Sequence, residues 1–319
     1  MDGLLLDTED IYTLCVNLIL EKYQRPKLPW TIKAKLQGRP GPAANKIFHD
    51  WAQLPISFEE YARQLYELQG QHFPGTQPLP GIVKLLGDLG RTRYWDLTDS
   101  SKATGNGAPA NGNGNGNGNG NGASKAHHRV HIALATSSHE TNFRLKTNHL
   151  TELFSVFPSH RRVLGDDNRI TPGRGKPLPD IFLLALKTIN DSLPSGETPI
   201  KPEECLVFED SVPGVEAGRR AGMRVVWCPH PMLKKVYAGR ESEVLAGRTG
   251  EAGDVDLHQL GEIDDGFAEY LPTLVDFPYE KYGIVVPPVE VEDEPAMKEE
   301  GFIDDGEVVQ VIEGDKSSA

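Results

Sequence analysis

The chain has 319 residues, 38% of them hydrophobic, and a formal net charge of −13, which leaves room for one large or two modest domains with a core diluted by polar sequence. The charge is uneven: residues 289–319 hold eleven acidic and two basic side chains, residues 251–288 nine and one, and the first 250 residues carry +4. There is no basic stripe for nucleic acid and no run of about 20 apolar residues for a membrane span. Three scattered cysteines, Cys15, Cys205 and Cys228, suit neither a disulfide framework nor a zinc site. With no basic, apolar leader ahead of the first apolar run, the expected compartment is the cytoplasm.

In chain order, Met1 to Glu9 reads as the end of a buried strand entering an acidic turn. Gly3 lets the backbone bend close to a ligand, and Asp2 presents a carboxylate beside it. Ile11, Tyr12, Leu14, Cys15, Leu18, Ile19 and Tyr23 recur at helical spacing. Two more helices are expected, over 43–53 with Ile47, Phe48 and Trp51 on one side, and over 58–68 with Tyr61, Leu65 and Leu68 together. Residues 10–79 are therefore expected to form a small helical insert without strands. The Gln37-Gly38-Arg39-Pro40 turn between its first two helices can aim a guanidinium at a phosphate or sugar. Pro80-Gly81 opens a helix whose apolar residues are Ile82, Val83, Leu85, Leu86 and Leu89. The strict Asn-Gly alternation from 111 to 122, within a polar 91–128 segment, buries too little apolar area to offset its chain entropy and is expected to be a disordered insertion.

The second half carries the chemistry. His131 to Ala135 reads as a short strand ending in Thr136-Ser137-Ser138. Hydroxyls and backbone N–H groups at such a point either hold phosphate oxygens or simply cap the next helix. Lys176, pinned between Gly175 and Pro177 just ahead of a helix through Ile181, Phe182, Ala185, Leu186 and Ile189, is placed to neutralise a phosphate. The strand over 205–208 ends in two adjacent carboxylates, Glu209 and Asp210. Burying both uncompensated is expensive, and a hard cation with oxygen ligands, Mg2+, resolves the repulsion; a helix cap is the plainer alternative. Strands alternating with helices imply a Rossmann-like α/β fold, a parallel sheet with helices on both faces. Asp2, Thr136 and Asp210 then fall at C-terminal strand ends, with Lys176 in a loop able to reach them, and that edge is where ligands bind in open α/β sheets.

Taken together, Asp2-Gly3 with Asp7-Thr8-Glu9, Thr136-Ser137-Ser138, Lys176-Pro177 with Pro179-Asp180-Ile181-Phe182, and Phe208-Glu209-Asp210-Ser211 with Gly214-Val215-Glu216-Ala217 resemble the four motifs of the haloacid dehalogenase-like hydrolases. Leu4 to Glu9, Ala133 to Ser138, Val163 to Asp167 and Cys205 to Asp210 are most similar to the pseudouridine-5'-phosphatase branch. The resemblance implies a hydrolase core of residues 1–9 and 80–288 and a helical cap of residues 10–79. It implies a Mg2+-dependent phosphatase of a small phosphorylated metabolite, a sugar phosphate or nucleoside monophosphate. Asp2 would be the acid–base, Thr136 and Lys176 would assist catalysis, and Ser137, Ser138, Gly38 and Arg39 would bind substrate. Glu209, Asp210 and Asp2, the last through its backbone carbonyl, would hold the metal. The family's first aspartate, the covalent nucleophile, would precede Met1. Either an upstream residue supplies it, or the chain binds phosphorylated ligands without turnover; the retention of Asp2, Thr136, Lys176, Glu209 and Asp210 favours the first. A phosphosugar mutase uses the same motifs. The acidic tail, residues 289–319, is expected to be disordered, with an unassigned protein partner.

Overall fold

The computed structural model of the chain describes residues 1–39, 41–92, 95–96, 127–128, 130–250 and 261–288. The Asn-Gly run and the acidic tail lie outside the described residues. The chain divides into two compact units, Met1–Pro287 and Pro288–Ala319, and every helix and strand among the described residues belongs to the first. Among the described residues no helix is long and apolar enough to cross a membrane.

Four helices follow the N-terminal turn: α1 (Thr8–Lys22), α2 (Trp30–Leu36), α3 (Gly41–Ala52) and α4 (Phe58–His72). Glu9 and Asp10 in the first turn of α1 and Lys22 in its last match the helix dipole. Ser57 caps α4 by accepting from the Glu60 N–H. The apolar stripes meet in a cluster of their own: Val16, Ile19 and Leu20 of α1, Phe48 and Ala52 of α3, and Tyr61 of α4. Sequence periodicity predicts α1, α3 and α4 but misses α2. Its seven residues offer too few repeats to read.

The rest alternates strands and helices. Helix α5 (Ile82–Arg91) starts after Gly81 and leads to β1 (Trp95–Asp96), which pairs antiparallel with β2 (His127–His128). Strand β3 (Leu134–Ala135) runs into α6 (Glu140–Thr147) and the short α7 (Thr151–Phe154), and pairs parallel with β4 (Arg162–Val163). After α8 (Asp180–Asn190) come β5 (Leu206–Glu209), α9 (Val212–Arg220) and β6 (Arg224–Trp227), then α10 (Pro231–Val236), α11 (Glu241–Leu245) and β7 (Ala268–Tyr270). Strands β5, β6 and β7 form a parallel sheet in that order. Val207, Val215, Val225 and Trp227 pack with Ile181 and Phe182 on one side. Leu4, Leu6, Leu85, Phe143 and Phe154 pack with Val226 and Phe277 on the other. The expected α/β class is therefore found.

The sheet differs from expectation in one respect. Two parallel pieces form, β3-β4 and β5-β6-β7, and the strand expected over 131–135 shrinks to two residues. Between the pieces lies an apolar cavity of about 490 Å³, lined on one side by Ile132 and Leu134 and on the other by Leu206 and Phe208, with Met1 and Leu4 also in its wall. A strand's backbone needs a neighbour to complete its hydrogen bonds, and neither β3 nor β5 has one on its facing edge among the described residues. Likewise Met1 to Thr8 is a tight turn rather than a strand end: Leu5 N–H donates to Met1 O at 2.8 Å and Gly3 N–H to Leu6 O at 3.0 Å. Isolated bridges tie Asp2 to Leu6 and Leu6 to Pro78.

Candidate active site

A second cavity, about 360 Å³, opens where the N-terminal turn, the ends of β3 and β5, and helices α1 to α4 meet. Asp2, Gly38, Arg39, Thr136, Ser137, Ser138, Lys176, Glu209 and Asp210 all line it. Residues more than 200 positions apart thus face one space at the C-terminal ends of parallel strands.

Asp2 is held on both carboxylate oxygens. Oδ1 accepts from Thr8 Oγ1 at 2.8 Å and from Lys146 Nζ at 2.6 Å, and Oδ2 accepts from Ser138 Oγ at 2.7 Å. Burial works to raise its pKa, but the Lys146 ammonium, the Met1 amino terminus and the hydrogen bonds from Lys146 and Ser138 outweigh it and hold the carboxyl at about 2. Asp2 therefore stands ionised, the form that takes a proton. Gly3 next to it has φ +64°, and a Cβ there would lie 2.5 Å from Asp210 Oδ2. Only glycine fits that position without strain.

At the end of β5, Glu209 forms a buried ion pair with Lys176. Burial would raise the Glu209 pKa, but Lys176 lowers it below the usual carboxylate range. Ser211 also donates to Glu209 Oε2 from its hydroxyl, at 3.1 Å. Asp210 has no cation of its own among the described residues. Gln37 Nε2 donates to its Oδ2 at 2.5 Å, and the Trp227 indole N–H donates to its backbone carbonyl at 3.1 Å. Burial, then the neighbouring Glu209 and Glu9 charges, push the Asp210 carboxyl up to about 8. Gln37 has the orientation an ionised Asp210 requires, its N–H towards the carboxylate, and this leaves its Oε1 buried without a hydrogen-bond partner.

The Thr136-Ser137-Ser138 turn is tied internally, Ser138 N–H donating to Thr136 Oγ1 at 3.2 Å. Ser137 Oγ donates to Gly38 O at 3.2 Å, so the glycine of the Gly-Arg turn touches the Ser turn directly. Gly38 has φ +75°, and a Cβ there would collide with Ser211. Arg39 Nε donates back to Lys35 O at 2.8 Å, which holds the guanidinium stem against α2 at the cavity wall. Sequence reasoning missed three residues here. Gln37 gave no signal beyond its place before Gly38. Lys33, on α2, is buried against Glu9 Oε2 at 3.1 Å and Thr13 Oγ1 at 2.5 Å. Lys146 was not singled out, although Phe143, Lys146 and Thr147, all buried, follow the spacing of one helix face.

The donor set admits a hard cation. Asp2, Glu9, Glu209 and Asp210 supply four carboxylates to a cavity lined also by Lys33 and Lys176, with Lys146 behind Asp2, and among the described residues Asp210 is the carboxylate with no lysine paired to it directly. Among the described residues no group of three or more His, Cys, Asp or Glu side chains is assembled as a metal cage. Two carboxylates completed by a backbone carbonyl and waters fit Mg2+, which keeps several waters.

Carboxylates, a buried lysine and a Ser-Thr turn gathered at parallel strand ends beneath a helical segment define a hydrolase-like α/β protein. A family model described as haloacid dehalogenase-like hydrolase matches residues 123–222. A relative from Saccharomyces cerevisiae named a probable pseudouridine-5'-phosphatase is 39% identical over 248 residues, covering 78% of this chain and 87% of the relative. A (DL)-glycerol-3-phosphatase of Arabidopsis thaliana is 33% identical over 248 residues, covering 77% and 67%. The fold is similar to that of CbbY from Rhodobacter sphaeroides, solved in complex with phosphate, with a TM-score of 0.51, 15% identity, and 87% and 93% of the two chains covered. The chain belongs to the haloacid dehalogenase-like hydrolase family. Within that family it falls among the phosphomonoester hydrolases.

Proposed function

We propose that this protein is a Mg2+-dependent phosphatase of a small phosphomonoester, a sugar phosphate or nucleoside monophosphate, and that the nucleophilic aspartate lies on a strand preceding Met1. The observation that carries the reading is the convergence of Asp2, Thr136, Lys176, Glu209 and Asp210 on one cavity directly beside an apolar gap headed by the buried Met1. A strand entering that gap would pair with both β3 and β5, join the two sheets, and deliver its last residue next to Asp2. The helical segment 10–79 serves as a cap over the cavity, and its inner wall of Val16, Leu36, Phe48 and Tyr61 suits a small organic group rather than a macromolecule.

In the reaction, the upstream carboxylate oxygen bonds to phosphorus as the bond from phosphorus to the substrate oxygen breaks. Asp2, ionised in the free site, would take the proton of a bound phosphate monoanion and pass it to that leaving oxygen. Water then attacks the aspartyl-phosphate, Asp2 takes the water's proton, and the bond to the aspartate oxygen breaks to release inorganic phosphate. Thr136 and the backbone at Ser137 hold phosphate oxygens. Lys176, already in the site against Glu209, offsets the charge that develops on the transferring group. Mg2+ held by Glu209, Asp210 and the Asp2 carbonyl would supply further charge neutralisation. Gly38 and Arg39 position the remainder of the substrate from the cap.

The test compares this 319-residue chain with the form extended through its natural upstream residues, assayed for phosphate release from a panel of phosphomonoesters with Mg2+. The extended form should turn over, lose activity in EDTA, and lose it when the upstream aspartate becomes asparagine. Equal turnover by the 319-residue chain would sink the proposal. So would an upstream sequence with no aspartate immediately before Met1. Product analysis must give free phosphate rather than an isomerised sugar phosphate.

A further inference from the structure

Lys146 has no exposed surface, sits behind Asp2 and Ser138 of the cavity wall, and belongs to none of the four family motifs. Its ammonium sits between the rings of Tyr12 and Phe73, 5.3 Å from each centroid. Tyr12 lies at the entrance to the helical segment and Phe73 at its exit. All three N–H donors of a lysine are used: on Asp2 Oδ1 at 2.6 Å, on Ser138 Oγ at 2.6 Å and on Tyr12 OH at 3.2 Å. Ser138 then passes its own proton donor to Asp2 Oδ2 at 2.7 Å. The three side chains make a closed triangle, in which Lys146 grips one carboxylate oxygen directly and fixes the hydroxyl that grips the other. A buried ion pair by itself is a poor source of stability. A three-residue network that takes both carboxylate oxygens and every donor of the lysine does fix orientation.

We propose that Lys146 is a positioning residue for the acid–base function of Asp2. It sets the plane of the Asp2 carboxylate through Ser138 and does so from the joint between core and cap. The proposal rests on the phosphatase reading, in which Asp2 must reach the leaving oxygen in one step and a water in the next. It makes a demand that a purely structural lysine does not. Loss of a correctly aimed acid hurts substrates whose leaving oxygen needs a proton, whereas p-nitrophenolate departs without one.

The decisive experiment uses Lys146→Met and Lys146→Gln in the extended, active form, with p-nitrophenyl phosphate and an alkyl phosphomonoester. Alkyl phosphate kcat/KM should fall on the order of 100-fold, the usual range for a lost acid–base group. The first-turnover burst of nitrophenolate should stay near that of the unaltered enzyme, followed by a slowed steady state, because hydrolysis of the aspartyl-phosphate still needs Asp2 as base. Lys146→Gln, which keeps one donor, should recover part of the loss. Parallel losses on both substrates, burst included, would overturn the proposal and leave Lys146 a structural residue. If the unaltered extended form releases no phosphate from any phosphate ester, the phosphatase reading itself has failed. A crystal structure of the Lys146→Met variant of the 319-residue chain then decides the positioning claim. An Asp2 carboxylate still bonded to both Thr8 and Ser138 refutes it; a carboxylate turned away supports it.

Discussion

Asp210 is built at a cost that should be measurable. Its carboxyl is buried, faces Glu209 and Glu9, and is raised from 3.8 to about 8. In the unfolded chain the group ionises near its ordinary value, while the folded chain keeps the proton until about pH 8. Between those limits the native state binds more protons, so its stability falls as pH rises. A difference of about four pKa units, at about 1.4 kcal/mol per unit, caps the effect at about 6 kcal/mol, and relaxation on ionisation brings the expected value to about 2–4 kcal/mol. Asp210→Asn keeps an acceptor for Gln37 and removes the titration. In urea denaturation without divalent cations, the variant should match the unaltered chain near pH 4 and become progressively more stable than it up to pH 8, with a plateau beyond. Added Mg2+ should stabilise the unaltered chain and leave the variant unmoved. A stability difference that does not change with pH, or a variant less stable at pH 8, would refute the reasoning.

Three further outcomes are expected from the same geometry. Lys176→Met leaves Glu209 buried without its cation and should cost about 3–5 kcal/mol in denaturant unfolding, part of which Lys176→Met with Glu209→Gln should restore. Gly3→Ala forces a Cβ to 2.5 Å from Asp210 Oδ2 at φ +64°, and a loss of about 2–3 kcal/mol is expected by thermal melting; an unchanged melting temperature would show that the turn can shift. Asp2 is depressed from 3.8 to about 2, so its contribution is present above pH 4 and lost as pH falls through 2. Asp2→Asn should therefore cost about 2–3 kcal/mol at neutral pH and close to nothing at pH 2, checked by urea titrations across that range.

The sequence was most legible where a motif is both local and chemically distinctive. Glu209-Asp210 at the end of an apolar run, the Thr-Ser-Ser turn, and Lys176 beside two prolines all landed on the same cavity, because strand ends and tight turns are written in adjacent residues. The helices with several apolar repeats, α1, α3 and α4, were readable for the same reason, whereas α2 was too short. What could not be read depends on contacts made at a distance. Lys146 is an ordinary helical lysine until Asp2, 144 positions earlier, closes on it. Gln37 becomes a partner of Asp210, 173 positions away, only when the turn after α2 meets the turn after β5. The predicted strand over 131–135 failed for a related reason. Its residues have the right pattern, yet a buried strand with an unpaired edge is held on one side only, and β3 meets only β4 and shrinks to two residues.

The gap between β3 and β5 has a practical consequence. Most exposed sheet edges grip an added strand along one side only, which makes capture weak and promiscuous. Here an arriving segment would be clamped along both sides, with apolar residues such as Leu134 and Phe208 around it, so recognition is demanding in length, direction and composition. About four to six residues, parallel and apolar on both faces, satisfy the slot. On the proposed reading, with an upstream strand filling the slot, this boundary would be a natural seam for dividing the protein into two pieces that report on their own reunion. A short peptide would serve as the key and the assembled catalytic centre as the signal.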